Sequence, residues 1–198
     1  SLRDSEEENH KSFGMTENEI RKLDGTAAFI KASYPHESTV GIVLGSGIGN
    51  LAREIDIEFQ VEYSRIPDFP VATVKGHSGE LIFGRMSGKR VVAMAGRFHF
   101  YEGYAVDQVV FPVRLMKKLG VKTLLLSNAA GGMNKTFRVG DLMMITDHIG
   151  LFTVNPLIGT NNETLGPRFP DMSEPYKKQL IQKAKAIAGK TGIEVKEG

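Results

Sequence analysis

Thr39-Val40-Gly41-Ile42-Val43-Leu44, followed at once by Gly45-Ser46-Gly47-Ile48-Gly49-Asn50, is the stretch on which the fold turns. Six residues rich in branched apolar side chains read as a buried strand. The glycine turn after them leads toward Leu51 and Ile55, which predict a helix. Strand, glycine turn, helix is the order that aims backbone N–H groups at an anion. The spacing is not that of a dinucleotide site. Glycines stand at 45, 47 and 49, and Asn50 takes the place where G-x-G-x-x-G needs its third glycine. The Lys-Ser/Thr of a P-loop is also missing. A plain tight turn between strand and helix is the alternative reading.

Working outward, Thr16-x-x-Glu19 is a capping box that opens a helix. Ile20, Leu23, Ala27, Ile30 and Ala32 mark its buried stripe, and Pro35 lies past its end. Strands are predicted at 58–63, 72–75, 80–86 and 90–95, with Ser87-Gly88 as a hairpin turn between the last two. A helix is predicted over 106–119, with Val106, Val109, Val110, Val113 and Met116 as its apolar face and Gly120 at its C-cap. Further strands are expected at 121–126 and 142–145. A Pro/Gly/Asn-rich loop covers 150–173, a helix 174–190, and a last strand begins at 193. Strands alternating with helices, plus a hairpin, predict an α/β fold with a mixed β-sheet flanked by helices.

Composition narrows the function. The chain has 198 residues, and 25 Lys and Arg against 23 Asp and Glu leave a net charge of +2. That balance gives no support for a nucleic-acid or membrane partner. The basic excess is local, with Lys75, Arg85, Lys89, Arg90 and Arg97 facing the single acid Glu80 between Lys75 and His99. A charged hairpin edge explains it equally well. There is no cysteine, which removes disulfides, thiolate catalysis and cysteine-based zinc sites and fits a cytoplasmic protein. No His, Asp and Glu spacing points to a metal. Residues 1–14 are charged and polar and are expected to be a disordered leader or tag remnant. Residues 15–198 are expected to form a single domain.

Three motifs carry chemistry. Gly96-Arg97-Phe98-His99-Phe100-Tyr101-Glu102-Gly103 follows the apolar run 91–95. In an extended chain Arg97, His99 and Tyr101 share one face, and Phe98 and Phe100 turn to the core. The guanidinium fork suits phosphate oxygens. Ser127-Asn128-Ala129-Ala130-Gly131-Gly132 follows another apolar strand, and its small residues let a ligand approach the backbone. Tight packing alone would also explain them. Gly76-His77-Ser78-Gly79 places an imidazole between glycines, where it reaches an anion or is simply solvated. Asp147-His148 reads as structural, and Met94, Met116, Met133, Met143 and Met144 as core gap-fillers.

These segments, with Val139-Gly140-Asp141 and Arg168-Phe169-Pro170, occur in the order and spacing of the trimeric, low-molecular-mass purine nucleoside phosphorylases. From about residue 18 onward the chain resembles that family. The resemblance implies a nucleoside phosphorylase-like fold and reversible phosphorolysis of inosine- or guanosine-type nucleosides, in the cytoplasm. Inorganic phosphate is the co-substrate, and no metal or other cofactor is implied. It further implies a phosphate cradle of Ser46, His77, Arg97, His99 and the Ala129 N–H. Glu102 would orient His99, and His99 and Glu102 would form the catalytic pair. Tyr101, Asn128, Ala130 and Gly131 would line the nucleoside site, and Phe169 would reach the site of the neighbouring subunit in a homotrimer. Ser46, where a methylthioadenosine phosphorylase would carry threonine, and the residues around His99 favour a 6-oxopurine enzyme. A xanthosine enzyme stays open. The family's sequences continue past this length, through its base-binding Glu and Asn, a second phosphate Ser and a further His. The chain is therefore expected to be truncated at its C-terminus. An inactive fragment, or a non-catalytic phosphate- or nucleoside-binding domain, is the competing expectation.

Overall fold

The computed structural model describes residues 16–45, 49–71, 79–151 and 154–198. The chain divides into two compact units, one of residues 1–129 with 154–165 and the other of 130–153 with 166–198. The leader and the strand expected at 72–75 lie outside the described residues.

The first unit is built on a five-stranded mixed sheet. Its strands are β1 (Val40–Leu44), β2 (Asp56–Glu62), β3 (Glu80–Met86), β4 (Lys89–Ala95) and β5 (Thr123–Leu126). Their spatial order is β2-β3-β4-β1-β5. β2, β3 and β4 run antiparallel, whereas β1 is parallel to both β4 and β5. The β3–β4 turn is the predicted one, with Ser87 at φ 47° and Gly88 at φ 75°. Both central residues are left-handed, which matches the twist of a two-residue hairpin.

Side-chain alternation sorts the sheet into two faces. Val43, Leu81, Phe83, Val92 and Met94 join one buried cluster, and Ile42, Leu44, Ile82, Val91 and Ala93 join the other. The first face is covered by α1 (Glu17–Ser33) and α2 (Val106–Lys118), through Leu23, Ala27, Ile30, Leu115 and Met116. Burying each of the large ones, Leu23, Ile30, Leu115 and Met116, stabilises by about 1.5–3 kcal/mol. Thr16 caps α1 as expected, with its hydroxyl accepting from Glu19 N at 3.3 Å and the Glu19 carboxylate accepting from Thr16 N at 2.6 Å. Thr26 completes the buried stripe, its hydroxyl lying 2.8 Å from both Lys22 O and Pro67 O. Leu165 of segment 154–165 packs on this core, and Arg114 Nη2 donates to Pro156 O at 3.3 Å.

Several expectations are corrected. The helix after the glycine turn is a 3₁₀ helix, Gly49–Glu54, short enough to bring Ile55 straight into the second cluster. Ala32 is exposed because the α1 stripe ends at Ile30. Val113 is exposed, whereas Met116 is buried as expected, Val109 packs against the core, and Pro112 and Leu115 join them inside.

The second unit pairs β6 (Leu142–Met144) with β7 (Val195–Glu197) in parallel. Parallel pairing needs a crossover, and α3 (Lys178–Thr191) lies on the connection. This helix begins four residues later than expected, with the Glu174 side chain accepting from Lys178 N at 2.8 Å. The ladder extends to the last residue, where Thr146 N donates to Gly198 O at 2.7 Å. Of the five expected core methionines only Met94 and Met116 are buried. Met133 and Met143 are exposed and Met144 half-buried, because the second unit encloses almost no apolar volume. Among the described residues no helix is long and apolar enough to cross a membrane.

Candidate functional site

Parallel pairing brings the chemistry together. Leu44 of β1 stands beside Ala95 of β4, and Val43 beside Leu126 of β5. The carboxyl ends of three strands thus meet on one edge of the sheet, where open α/β sheets place their ligands. The residues that follow are Gly45, Gly96-Arg97 and Ser127-Asn128.

Ser127 joins them. Its Oγ accepts from Gly45 N at 2.8 Å and donates to Val43 O at 3.0 Å. Its carbonyl accepts from Arg97 Nη1 at 2.6 Å. Gly45 allows this closeness, since a Cβ there would lie 2.3 Å from Ser127 O. The sequence reading included Ser127 in its loop without a role. The available signal was a hydroxyl at the first position after a buried strand, where free backbone groups need partners.

Arg97 points its Nε at His99 Nε2, 3.1 Å away. On the other side of the ring, His99 Nδ1 lies 2.9 Å from Glu102 Oε2, and His99 N donates to the same oxygen at 3.1 Å. Arg97, His99 and Glu102 form one continuous chain of contacts. The His99 and Glu102 side chains are each 30% exposed, so the chain is open to an incoming solute.

The backbone does not stay extended here. It turns into a 3₁₀ helix at Phe100–Glu102 and reverses at Gly103, which has φ 95°. Phe98 packs into the core as expected, against Tyr63, Phe69 and Tyr104. Phe100 does not, and is 55% exposed because the turn redirects it. The same turn folds Tyr101 over His99, with ring centroids 4.9 Å apart and planes at 22°. Tyr101 is otherwise open, at 82% exposure. From below, Tyr63 Oη donates to Gly96 O at 2.5 Å. Burial, and then the charge of Glu80, push the Tyr63 phenol up, which keeps it a neutral donor.

Of the remaining predicted residues, Ser46 and His77 lie outside the described residues. Asn128 and Ala129 are exposed beside Ser127, and Asn128 Nδ2 donates to Ala129 O at 3.2 Å. Ala130, Gly131 and Phe169 are exposed members of the second unit. The Phe169 ring lies under the Arg168 guanidinium at 5.9 Å. His148 Nδ1 sits 3.2 Å from Tyr176 Oη, and Asp147 Oδ1 accepts from His148 N at 2.8 Å. Among the described residues no three His, Asp or Glu side chains gather as a metal site would require.

Comparison with known proteins gives a consistent picture. The model of the phosphorylase superfamily matches residues 39–198. Purine nucleoside phosphorylase 1 of Geobacillus stearothermophilus is 53% identical over 176 residues, covering 89% of this chain and 64% of that protein. The Bacillus subtilis protein of the same name is 51% identical over 177 residues, covering 89% and 65%. The chain thus spans less than two thirds of the length of these relatives. A crystal structure of purine nucleoside phosphorylase with ribose-1-phosphate is 44% identical with a TM-score of 0.86, covering 90% of this chain and 68% of that one.

Proposed function

The chain belongs to the phosphorylase superfamily, among its purine nucleoside phosphorylases, and on that premise we propose that it serves reversible phosphorolysis of inosine- or guanosine-type nucleosides. The observation that carries this reading is the unbroken Arg97–His99–Glu102 contact chain beside Ser127, at the carboxyl ends of three strands. It offers a fixed cation and an oriented imidazole where a tetrahedral anion would sit. Solved relatives hold ribose-1-phosphate and inosine.

In this reading Arg97, His99 and the Ala129 N–H hold phosphate, with Ser46 and His77 completing the cradle. Tyr101, Asn128, Ala130 and Gly131 meet the nucleoside. A phosphate oxygen bonds to C1′ as the C1′–N9 bond breaks, and the base leaves with the electron pair. Positive charge builds on the sugar, and the phosphate beneath it is both nucleophile and counter-charge. No redox change occurs, so the reaction calls for phosphate as co-substrate and no redox cofactor.

A homotrimer belongs to the same reading. It is supported by the exposure of Phe169 at 86%, together with exposed Ile149 and Leu151, which a partner subunit would cover. A cytoplasmic setting fits a chain without cysteine. A second reading is phosphate binding without turnover. The deciding experiment follows hypoxanthine release from inosine by absorbance, with and without phosphate. Phosphate-dependent release establishes the phosphorylase. A folded protein that binds phosphate and releases no base establishes the second reading.

A further inference from the structure

The Arg97–His99–Glu102 chain fixes where the imidazole proton resides. Arginine only donates, so Arg97 Nε at 3.1 Å makes His99 Nε2 an acceptor. The single ring proton is then on Nδ1, donated to Glu102 Oε2 at 2.9 Å. The opposite neutral tautomer would set the Nδ1 lone pair against a carboxylate. That carboxylate is held in place by His99 N at 3.1 Å. The charged and titratable groups that face His99 among the described residues are Arg97, Glu102 and the stacked Tyr101, with the Ser127 carbonyl holding Arg97 from β5.

We propose that His99 meets the anion as a proton acceptor, so that the site distinguishes tetrahedral dianions by whether they carry a hydroxyl. This rests on the reading above that phosphate binds against Arg97 and His99. Monohydrogen phosphate donates its P–O–H to His99 Nε2, while Arg97 turns its Nε–H from that nitrogen to an anion oxygen. Arg97 Nε and His99 Nε2 each keep a hydrogen-bond partner, and no proton is taken from solvent. Sulfate has no hydroxyl, so it binds only when His99 Nε2 takes up a proton and becomes the donor. The pentose 1-phosphate dianion is in the same position as sulfate. As the phosphate oxygen bonds to C1′ and the C1′–N9 pair leaves with the base, the phosphate hydroxyl proton passes to His99 Nε2. The imidazolium facing Glu102 then holds the product, the base takes a proton from solvent, and His99 loses its own when the pentose phosphate departs.

The test is calorimetric titration of this chain with inorganic phosphate and with sulfate, at about pH 8.5, in buffers of different ionisation enthalpy, so that the protons bound per anion are counted. Phosphate should bind with about zero proton uptake and sulfate with about one, and sulfate affinity should fall about tenfold per pH unit as pH rises. In Glu102→Gln the amide can donate to Nδ1, the other tautomer is admitted, and the proton uptake with sulfate should vanish. A structural role for Glu102 would lower both affinities without changing the proton count. Equal proton counts for the two anions in the unaltered chain overturn the proposal and leave the phosphate site standing. Phosphate binding that is absent, or indifferent to Arg97→Ala, overturns both.

Discussion

The two units treat their apolar residues in opposite ways. In the first, strands and helices enclose Leu23, Ile30, Leu81, Phe83, Val92 and Leu115 at 2% exposure or less. In the second, Ala188 is the only buried apolar residue among those described, while Met133, Ile149, Leu151 and Phe169 stand open. Both carry parallel strands joined through helices, so secondary structure does not make the difference. The sheet of the first unit has helices on one face and a 3₁₀ turn on the other. The two-stranded pairing of the second encloses no comparable volume, and so small a sheet is marginal by itself. The site residues follow the division. Arg97, His99 and Glu102 are braced by a packed core, whereas Phe169 projects from a unit that has none.

The widest expected gap is in stability. Phe83→Ala removes a ring packed 5.1 Å from Tyr34 and 5.8 Å from Phe59, and should cost about 3–5 kcal/mol in urea unfolding. Met133→Ala should stay within about 0.5 kcal/mol of the unaltered chain. Comparable losses would mean that the exposed residues of the second unit are packed in solution, and the contrast would fail. Next comes catalysis. In a form that turns over inosine, Arg97→Ala should lower kcat/KM by about 2–4 kcal/mol of transition-state stabilisation. Phe169→Ala should raise the KM for nucleoside more than that for phosphate. Equal changes would assign Phe169 to supporting its loop.

How much of this could be read from the sequence follows the same line. The capping box at Thr16, the Ser87-Gly88 turn and the alternating strands are local signals, and each stands where its residues place it. The convergence of Gly45, Arg97 and Ser127 is legible once β1 is seen as parallel to both neighbours, because parallel strands share one carboxyl edge. What escaped was set by long-range contact or by a local turn. Ser127 acts through partners more than eighty residues away in sequence. An extended chain would place Phe100 in the core, and one 3₁₀ turn reverses it. Composition alone places the methionines of the second unit inside, which holds only where there is an inside.

Gly45→Ala probes the junction between core and site at a smaller scale. The added methyl would press on Ser127 O at 2.3 Å, the backbone atom that accepts from Arg97 Nη1, in a residue whose Oγ donates to Val43 O. Relief requires the β1 and β5 ends to separate, at about 1–3 kcal/mol for such overpacking. Phosphate affinity should fall together with the urea midpoint. A stability loss without an affinity loss would show that the Ser127 clasp serves the sheet alone.

The smallest effect concerns a polar cluster of the first unit beside the β3–β4 hairpin turn, away from the carboxyl ends of β1, β4 and β5. Glu58 accepts a hydrogen bond from Tyr34 Oη, another from Arg85 Nε at 2.9 Å, and faces Arg90 Nε at 3.6 Å. The Tyr34 bond first, then the Arg85 bond and the two guanidinium charges, hold its carboxyl below the usual carboxylate range, against an opposing desolvation second only to the Tyr34 bond. A carboxyl whose pKa is depressed by folding contributes stability above its unfolded value, and that contribution is lost as pH falls through the folded one. Glu58→Gln should therefore flatten the acid side of the stability profile, through and below the usual carboxylate range, and leave the slope near neutrality unchanged. Urea midpoints measured across that range decide it. An identical acid slope would show that solvent already screens the cluster, and that the first unit owes its stability to its apolar faces alone.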